Sequence, residues 1–281
     1  MMETLYGDRM WRWSKLSSSK WADAWEERFY GNSNSVITEI KGGKSIRIEV
    51  YCPSEEEANA ILFQFGGSVR EIKNENWVVV SAPKTAPLLI RNRLVVSQVP
   101  LETEVFPDKQ IIIIPPEMAF GTGDHPTTST CLRFLVDHAE KLEGGWSFLD
   151  LGTGSGLLAI AARFLGAGEI EAFDFDPKAV VVAQNNALRN QVEDLHVFEA
   201  DVFKWSNTKE FKVVAANLFS TVLIEALPLI RNWIRIDGYL ILSGILSEQW
   251  PEVLEVATKS GFRNELLQKK GKWVTASFSL S

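Results

Sequence analysis

A chain of 281 residues with 46% hydrophobic and 23% charged residues has the make-up of an ordinary folded protein, long enough for one large domain or two modest ones. Its net charge of −7 and lack of a long Lys/Arg run argue against a dedicated grip on nucleic acid, where phosphate contacts dominate affinity. No apolar run approaches the roughly 20 residues that span a bilayer. The start, "MMETLYGDRMWRW", lacks a secretory pattern, and two isolated cysteines, Cys52 and Cys131, make neither a disulfide framework nor a zinc site. A cytoplasmic protein with reduced thiols, no membrane contact and no metal is expected.

Residues 1–33 read as a loose tail followed by an amphipathic helix. In "SSSKWADAWEERFYG", Trp21, Trp25 and Phe29 recur every four residues, Ser18 or Ser19 can cap the start, and the aromatic stripe suits a core or a domain contact. Residues 34–100 read as a small α+β domain. "SVITEIK" and "KSIRIEVYC" alternate as hairpin strands about Gly42-Gly43. "PSEEEANAILFQFGG" is a helix with a capping box, Ser54 with Glu57, and a stop at Gly66. "SVREI" and "NWVVVS" read as strands. Pro83, Pro87, Pro100 and Pro107 punctuate short apolar runs, with residues 101–117 as connector and "QIIIIPP" as a buried strand stopped by proline.

From 118 to 281 strands and helices alternate, from "SFLDLG" to "SEQWPEVLEVATKS", which predicts a parallel sheet covered on both faces. The last segment, "FRNELLQKKGKWVTASFSL", predicts a hairpin that puts an antiparallel strand into it. The expected fold class is α/β, a Rossmann-like and mostly parallel sheet beside a small N-terminal α+β domain.

The most informative segment is "FLDLGTGSGLLAIAA". A buried strand ends at Asp150 and Leu151, Gly152, Gly154 and Gly156 follow, and a helix starts at once. Glycines let the backbone turn sharply and a ligand approach it, and the helix start offers free N–H groups. A dinucleotide fingerprint needs its third glycine where Leu157 stands, and a P-loop needs a lysine that is missing. An acid followed by G-x-G-x-G suits a nucleoside without pyrophosphate, above all S-adenosylmethionine. The next strand ends at Asp174, placed to accept both ribose hydroxyls, while Asp176 before Pro177 reads as a helix cap. Asp201 in "FEADVF" is either an adenine reader or a loop acid. Asn217 ends the fourth strand at the carboxyl edge of the sheet, with Ser220 the natural cap of the following helix, which leaves Asn217 for substrate or cofactor.

The loop "MAFGTGDHPTTSTC", Met118 to Cys131, could be a phosphate cradle, a metal site, a nucleophile site or a cofactor lid. His125 and Asp124 are too few for a metal, and Ser129 lacks a nucleophile-elbow setting. His138 and His196 read as packed or solvated histidines.

In order along residues 112–281, "PPEMAFGTGDHPTT", "DLGTGSGLLAIAA", "FDFDPKAV", "VVAANL" and "LSGIL" resemble the PrmA family, the ribosomal protein L11 methyltransferases of the class I S-adenosylmethionine-dependent fold. "AFGTGxHPTT" is the most specific of these segments. The resemblance implies that the loop folds over S-adenosylmethionine, that Thr128, Gly152, Asp174 and Asn217 touch it, and that the acceptors are amino groups of ribosomal protein L11. Asp150, Gly154, Gly156 and Asp201 complete the expected cofactor site. An amine nucleophile must be held in line and shed a proton first. Asn217 is the expected orienting group and His125 a candidate proton acceptor. "NLFS" after Asn217 lacks the two prolines of adenine and glutamine-amide methyltransferases. The alternatives are the same fold acting on another protein, an RNA or a small molecule, or a non-catalytic cofactor-binding scaffold.

Overall fold

The structure, a computed structural model, describes residues 9–21, 25, 28–29, 35–40, 44–73, 87–101, 106–116, 123 and 125–280. The chain divides into two compact units, residues 1–83 and 84–281.

In the first unit, strands β1 (Arg9–Ser18), β2 (Ser35–Glu39), β3 (Ser45–Cys52) and β4 (Ser68–Lys73) form an antiparallel sheet of order β2-β3-β1-β4. Helix α1 (Glu55–Phe65) packs on one face. Ser54 accepts the Glu57 N–H at 3.2 Å, three glutamates in the first turn favour the positive end of the helix, and Gly66 closes it with φ 67°. Trp13, Ile46, Ile48, Val50 and Ala58 are buried under this helix, with the rings of Trp25, Phe29 and Phe65 around Trp13.

Two expectations fail here. Residues 9–18 are not a loose tail but a strand inside the sheet, paired with β3 and β4. The period-2 placement of Trp11 and Trp13 puts both indoles on the core side, where Trp13 Nε1 donates to the Gly66 carbonyl at 2.7 Å. Nor do Ser18 or Ser19 cap a helix: Ser18 ends β1 and Ser19–Trp21 form a 3-10 turn. Trp25 and Phe29 do stack in the core, 6.0 Å apart, but Trp21 is 54% exposed. The Gly42-Gly43 turn and the whole "NWVVVS" segment lie outside the described residues, as do Met118 to Thr122 and Asp124 of the loop.

The second unit begins earlier than the sequence suggested. Strands β5 (Leu88–Ile90), β6 (Leu94–Ser97) and β7 (Gln110–Ile113) form a three-stranded sheet. Ile90, Leu94, Val96, Ile112 and Ile114 are buried in the same core as helix α2 (Pro126–Ala139). Pro87 sits just before β5, Pro100 follows β6 and Pro107 lies in the turn ahead of β7, so these prolines bound strands rather than mark a linker, because the short apolar runs have a partner to bury against. Pro83 lies outside the described residues. Asn190 ties β7 down: its Oδ1 accepts the Ile113 N–H at 2.7 Å and its Nδ2 donates to the Ile113 carbonyl at 2.8 Å. Arg91 forms a two-point ion pair with Asp137, at 2.8 and 2.5 Å.

The main sheet is built as the alternation predicted. Its strands are β8 (Ser147–Leu151), β9 (Glu169–Asp174), β10 (His196–Glu199), β11 (Phe211–Asn217), β12 (Ile234–Leu246), β13 (Phe262–Lys270) and β14 (Trp273–Leu280), in the order β10-β9-β8-β11-β12-β14-β13. All run parallel except β14, which is antiparallel to both its neighbours. Helices α2, α3 (Leu157–Phe164) and α4 (Pro177–Arg189) cover one face, burying Phe148, Val213 and Ile241. Helices α5 (Ser220–Ile230) and α6 (Trp250–Lys259) cover the other, burying Leu149, Val214 and Leu242. Each such large side chain contributes about 1.5–3 kcal/mol relative to exposure. The strand order reverses between β8 and β11, so their carboxyl ends splay apart and leave a crevice.

Candidate active site

The loop after β8 enters that crevice. Gly152, Gly154 and Gly156 all have positive φ, 67°, 54° and 80°. A Cβ on Gly152 would lie 2.3 Å from Leu218 Cδ2, and one on Gly156 only 3.0 Å from Ala183 Cβ, so the last glycine lets α3 close on α4. The loop is held from below. Thr153 N–H donates to the Phe173 carbonyl at 2.9 Å, and the buried Asn186 Nδ2 donates to the Ser155 carbonyl at 2.9 Å.

Asp174 sits at the end of β9, as expected, and its carboxylate bridges two turns. Oδ2 accepts the Gly154 N–H at 2.9 Å and Oδ1 accepts the Asp176 N–H at 3.0 Å. A carboxylate offers about four acceptor positions, so half of its capacity is left. Asp176 has the alternative role foreseen for it, capping α4 by accepting the Lys178 N–H at 2.9 Å.

Asp150 is sealed beneath the loop, where Thr153 Oγ1 donates to its Oδ2 at 2.7 Å. Burial, against the help of Thr153 and with Asp174 nearby, raises its pKa from 3.8 to about 7. Between those values the folded chain holds a proton that the unfolded chain has released. Its contribution to stability therefore falls as the pH rises through this window and levels off above about 7. Asp150→Asn removes the titration. In cofactor-free protein it is expected to raise the melting temperature at pH 8 relative to the parent, with the gap narrowing toward pH 5. Parallel melting profiles for the two proteins would mean that the carboxyl ionises as in water.

Asn217 ends β11, opposite the glycine loop. Its Nδ2 donates to Thr128 Oγ1 at 3.4 Å, while Oδ1 is buried with no hydrogen-bond partner. An unmade hydrogen bond to a buried amide oxygen costs about 1–3 kcal/mol. Thr128 itself is buried in the first turn of α2. His125 caps that helix: its Nδ1 accepts the Thr127 N–H at 3.4 Å and lies 2.6 Å from Thr127 Oγ1. Burial, reinforced by Lys270, pushes the His125 pKa down to about 4. The ring also meets Trp273 edge-on at 5.1 Å.

Asp201 is placed as a turn acid. Its Oδ1 accepts the Phe203 N–H at 3.0 Å and Oδ2 pairs with Lys204 at 2.9 Å. Ser220 does not cap α5, whose cap position is Phe219; its hydroxyl instead donates to Gln249 Oε1 at 2.6 Å. His138 is packed, stacking on Tyr239 at 4.1 Å with Nε2 2.6 Å from Ser277 Oγ. Among the described residues no group of three or more His, Cys, Asp or Glu could hold a metal, and no helix is long and apolar enough to cross a membrane.

Sequence reasoning missed three supports. Thr153 and Asn186 carry no signal, because their partners are set by the fold. Gly244 did carry one, a glycine inside a strand pattern. It has φ 83°, and a Cβ there would lie 2.3 Å from the Leu218 carbonyl oxygen. Gly244→Ala is expected to cost about 2 kcal/mol or more through backbone strain and displacement of Leu218. A denaturant midpoint unchanged from the parent would show that the segment after Asn217 moves freely.

The crevice and the glycine loop that enters it agree with what comparison reveals. The family model for ribosomal protein L11 methyltransferase (PrmA) matches residues 37–280. The chain belongs to this family. It is 35% identical to the ribosomal protein L11 methyltransferase of Streptococcus thermophilus over 261 residues, covering 86% of this chain and 81% of the relative. The Streptococcus uberis protein of the same name is 38% identical over 209 residues, 74% of this chain and 65% of the relative. Among solved structures, a ribosomal protein L11 methylase from Lactobacillus delbrueckii subsp. bulgaricus superposes with a TM-score of 0.62 at 26% identity, covering 70% of this chain and all of that one. The family match begins at residue 37, so PrmA likeness extends into the first unit, beyond the motifs that carried the resemblance. As in the family, the cofactor is S-adenosylmethionine, and the open glycine loop, Asp174 and the unpartnered Asn217 oxygen suit it.

Proposed function

We infer that the protein methylates amino groups of ribosomal protein L11, lysine side chains and an α-amine, in the cytoplasm. The observation that carries this reading is the buried, partnerless Oδ1 of Asn217 at the crevice. S-adenosylmethionine, when bound, supplies an electrophilic methyl group. Gly152 and Gly154 keep side chains out of its way, Asp174 has acceptor capacity for the ribose hydroxyls, and Thr128 presents a hydroxyl at a helix start.

The residues of the chain then act on the amine. A lysine ammonium has a pKa of about 10.4 and must lose a proton before it can attack. A desolvated crevice favours the neutral form. Asn217 Oδ1 accepts an N–H of that amine and so points its lone pair, while Nδ2 stays anchored on Thr128. His125 is better described as a helix cap than as the proton acceptor: a ring that protonates only near pH 4 draws a proton poorly from an amine. Water at the mouth of the crevice takes the proton. Asp201 can meet the adenine amino group only through lone pairs left by Phe203 and Lys204.

The test is methyl transfer to unmethylated ribosomal protein L11, read by intact-mass spectrometry. Stepwise gains of one methylene mass, lost with Asp174→Ala, are expected. Cofactor binding without any gain would overturn the substrate and leave the fold and cofactor standing.

A further inference from the structure

The sheet of the first unit has a second face. Trp13 on β1 and Ile46, Ile48 and Val50 on β3 point toward α1, so the alternate positions point away. Those positions hold Arg12 and Ser14 on β1, Arg47, Glu49 and the buried Tyr51 on β3, and Ser68 and Arg70 on β4. Register brings them together: Arg12 lies opposite Arg70, Ser14 lies between Glu49 and Ser68, and Arg47 faces Leu16. All but Tyr51 line a cleft of about 450 Å³. Arg12 Nη1 pairs with Glu49 Oε1 at 3.1 Å, yet its Nε is buried with no hydrogen-bond partner. Arg47 and Arg70 are exposed, and among the described residues neither is paired with a carboxylate. The strands gather into one basic face residues that lie scattered along a chain of net charge −7.

We propose that this face, through its exposed Arg47 and Arg70, is a binding site for single-stranded RNA. A four-stranded antiparallel sheet with its helix on the far side is a platform on which unstacked nucleotides can lie, their bases against flat side chains. Arginine suits both halves of that contact: its guanidinium pairs with phosphate through two parallel bonds and stacks on base faces. Arg12 and Arg47 stand about 13 Å apart along the strand direction, long enough for a strand to pass more than one phosphate. Glu49 decides between anionic partners. A carboxylate in the cleft repels an acidic peptide, whereas toward RNA it accepts hydrogen bonds from base amino groups.

The experiment uses the whole protein and a labelled short oligocytidylate, whose bases carry the amino groups Glu49 would accept from, with fluorescence anisotropy followed across a salt series. Binding at low salt is expected. Arg47→Gln with Arg70→Gln should weaken it at least about tenfold and flatten the log–log salt dependence by about 0.7 per arginine removed. Arg47→Lys with Arg70→Lys, which keeps the charge, should keep the salt slope and lose part of the affinity. The proposal is overturned by no binding at low salt, by glutamine and lysine variants that lose affinity equally, or by polyglutamate binding more tightly than RNA. The mass-spectrometric test of methyl transfer is separate, so either result can fail without the other.

Discussion

Asp174→Ala is expected to weaken S-adenosylmethionine at least about 100-fold, measured by titration calorimetry, while the protein stays folded. A hydrogen bond to a charged acceptor contributes about 1.5–3 kcal/mol, and two ribose hydroxyls on one carboxylate reach the 2.7 kcal/mol that a hundredfold represents. The same carboxylate also accepts Gly154 N–H and Asp176 N–H, so its loss frees the glycine loop as well. Asp174→Asn should do almost as much harm. An amide turned to satisfy one backbone N–H brings its own NH2 against the other. A loss smaller than about fivefold would mean that the ribose is held elsewhere.

Asn217→Ala should behave differently. Turnover is expected to fall about 100- to 1000-fold, the scale seen when a pre-placed polar group at a reacting centre is removed. Cofactor affinity should stay within about threefold, because Asp174 and the glycine loop are untouched. The two losses would be equal if Asn217 served the cofactor alone. Stability gives an independent readout. The variant deletes a buried oxygen with no partner together with one long hydrogen bond to Thr128, two effects of opposite sign, so the cofactor-free protein should melt close to the parent. A large drop in melting temperature would assign Asn217 to the fold instead.

What could be read from the chain divides by range. The glycine loop, Asp174 and Asn217 are legible because strand ends and glycine spacing are local features with a mechanical meaning. The cap at Ser54 and the alternation of the main sheet are local too. β1 was hidden because "RMWRWSKLSS" mixes its two tryptophans with three cations, and the four-residue spacing of Trp21, Trp25 and Phe29 just beyond it drew the helix boundary into the wrong place. The capping role of His125 and the anchoring of β7 by Asn190 depend on partners the sequence does not place: Asn190 lies 77 residues from Ile113. The arginine face is the clearest case. Arg12, Arg47 and Arg70 are neighbours only through strand register.

The position of β14 bears on how the second unit comes into being on the ribosome. This strand is synthesised after every other strand of its sheet, yet it lies inside the sheet, between β12 and β13. Its Val274, Ala276 and Phe278 are fully buried. A nascent chain that has made β13 but not β14 therefore leaves two strand edges unpaired and one of its two cores unfilled. Cofactor-binding competence should arrive late and all at once, when the final strand slides in, and a growing chain should need shelter from its neighbours until then.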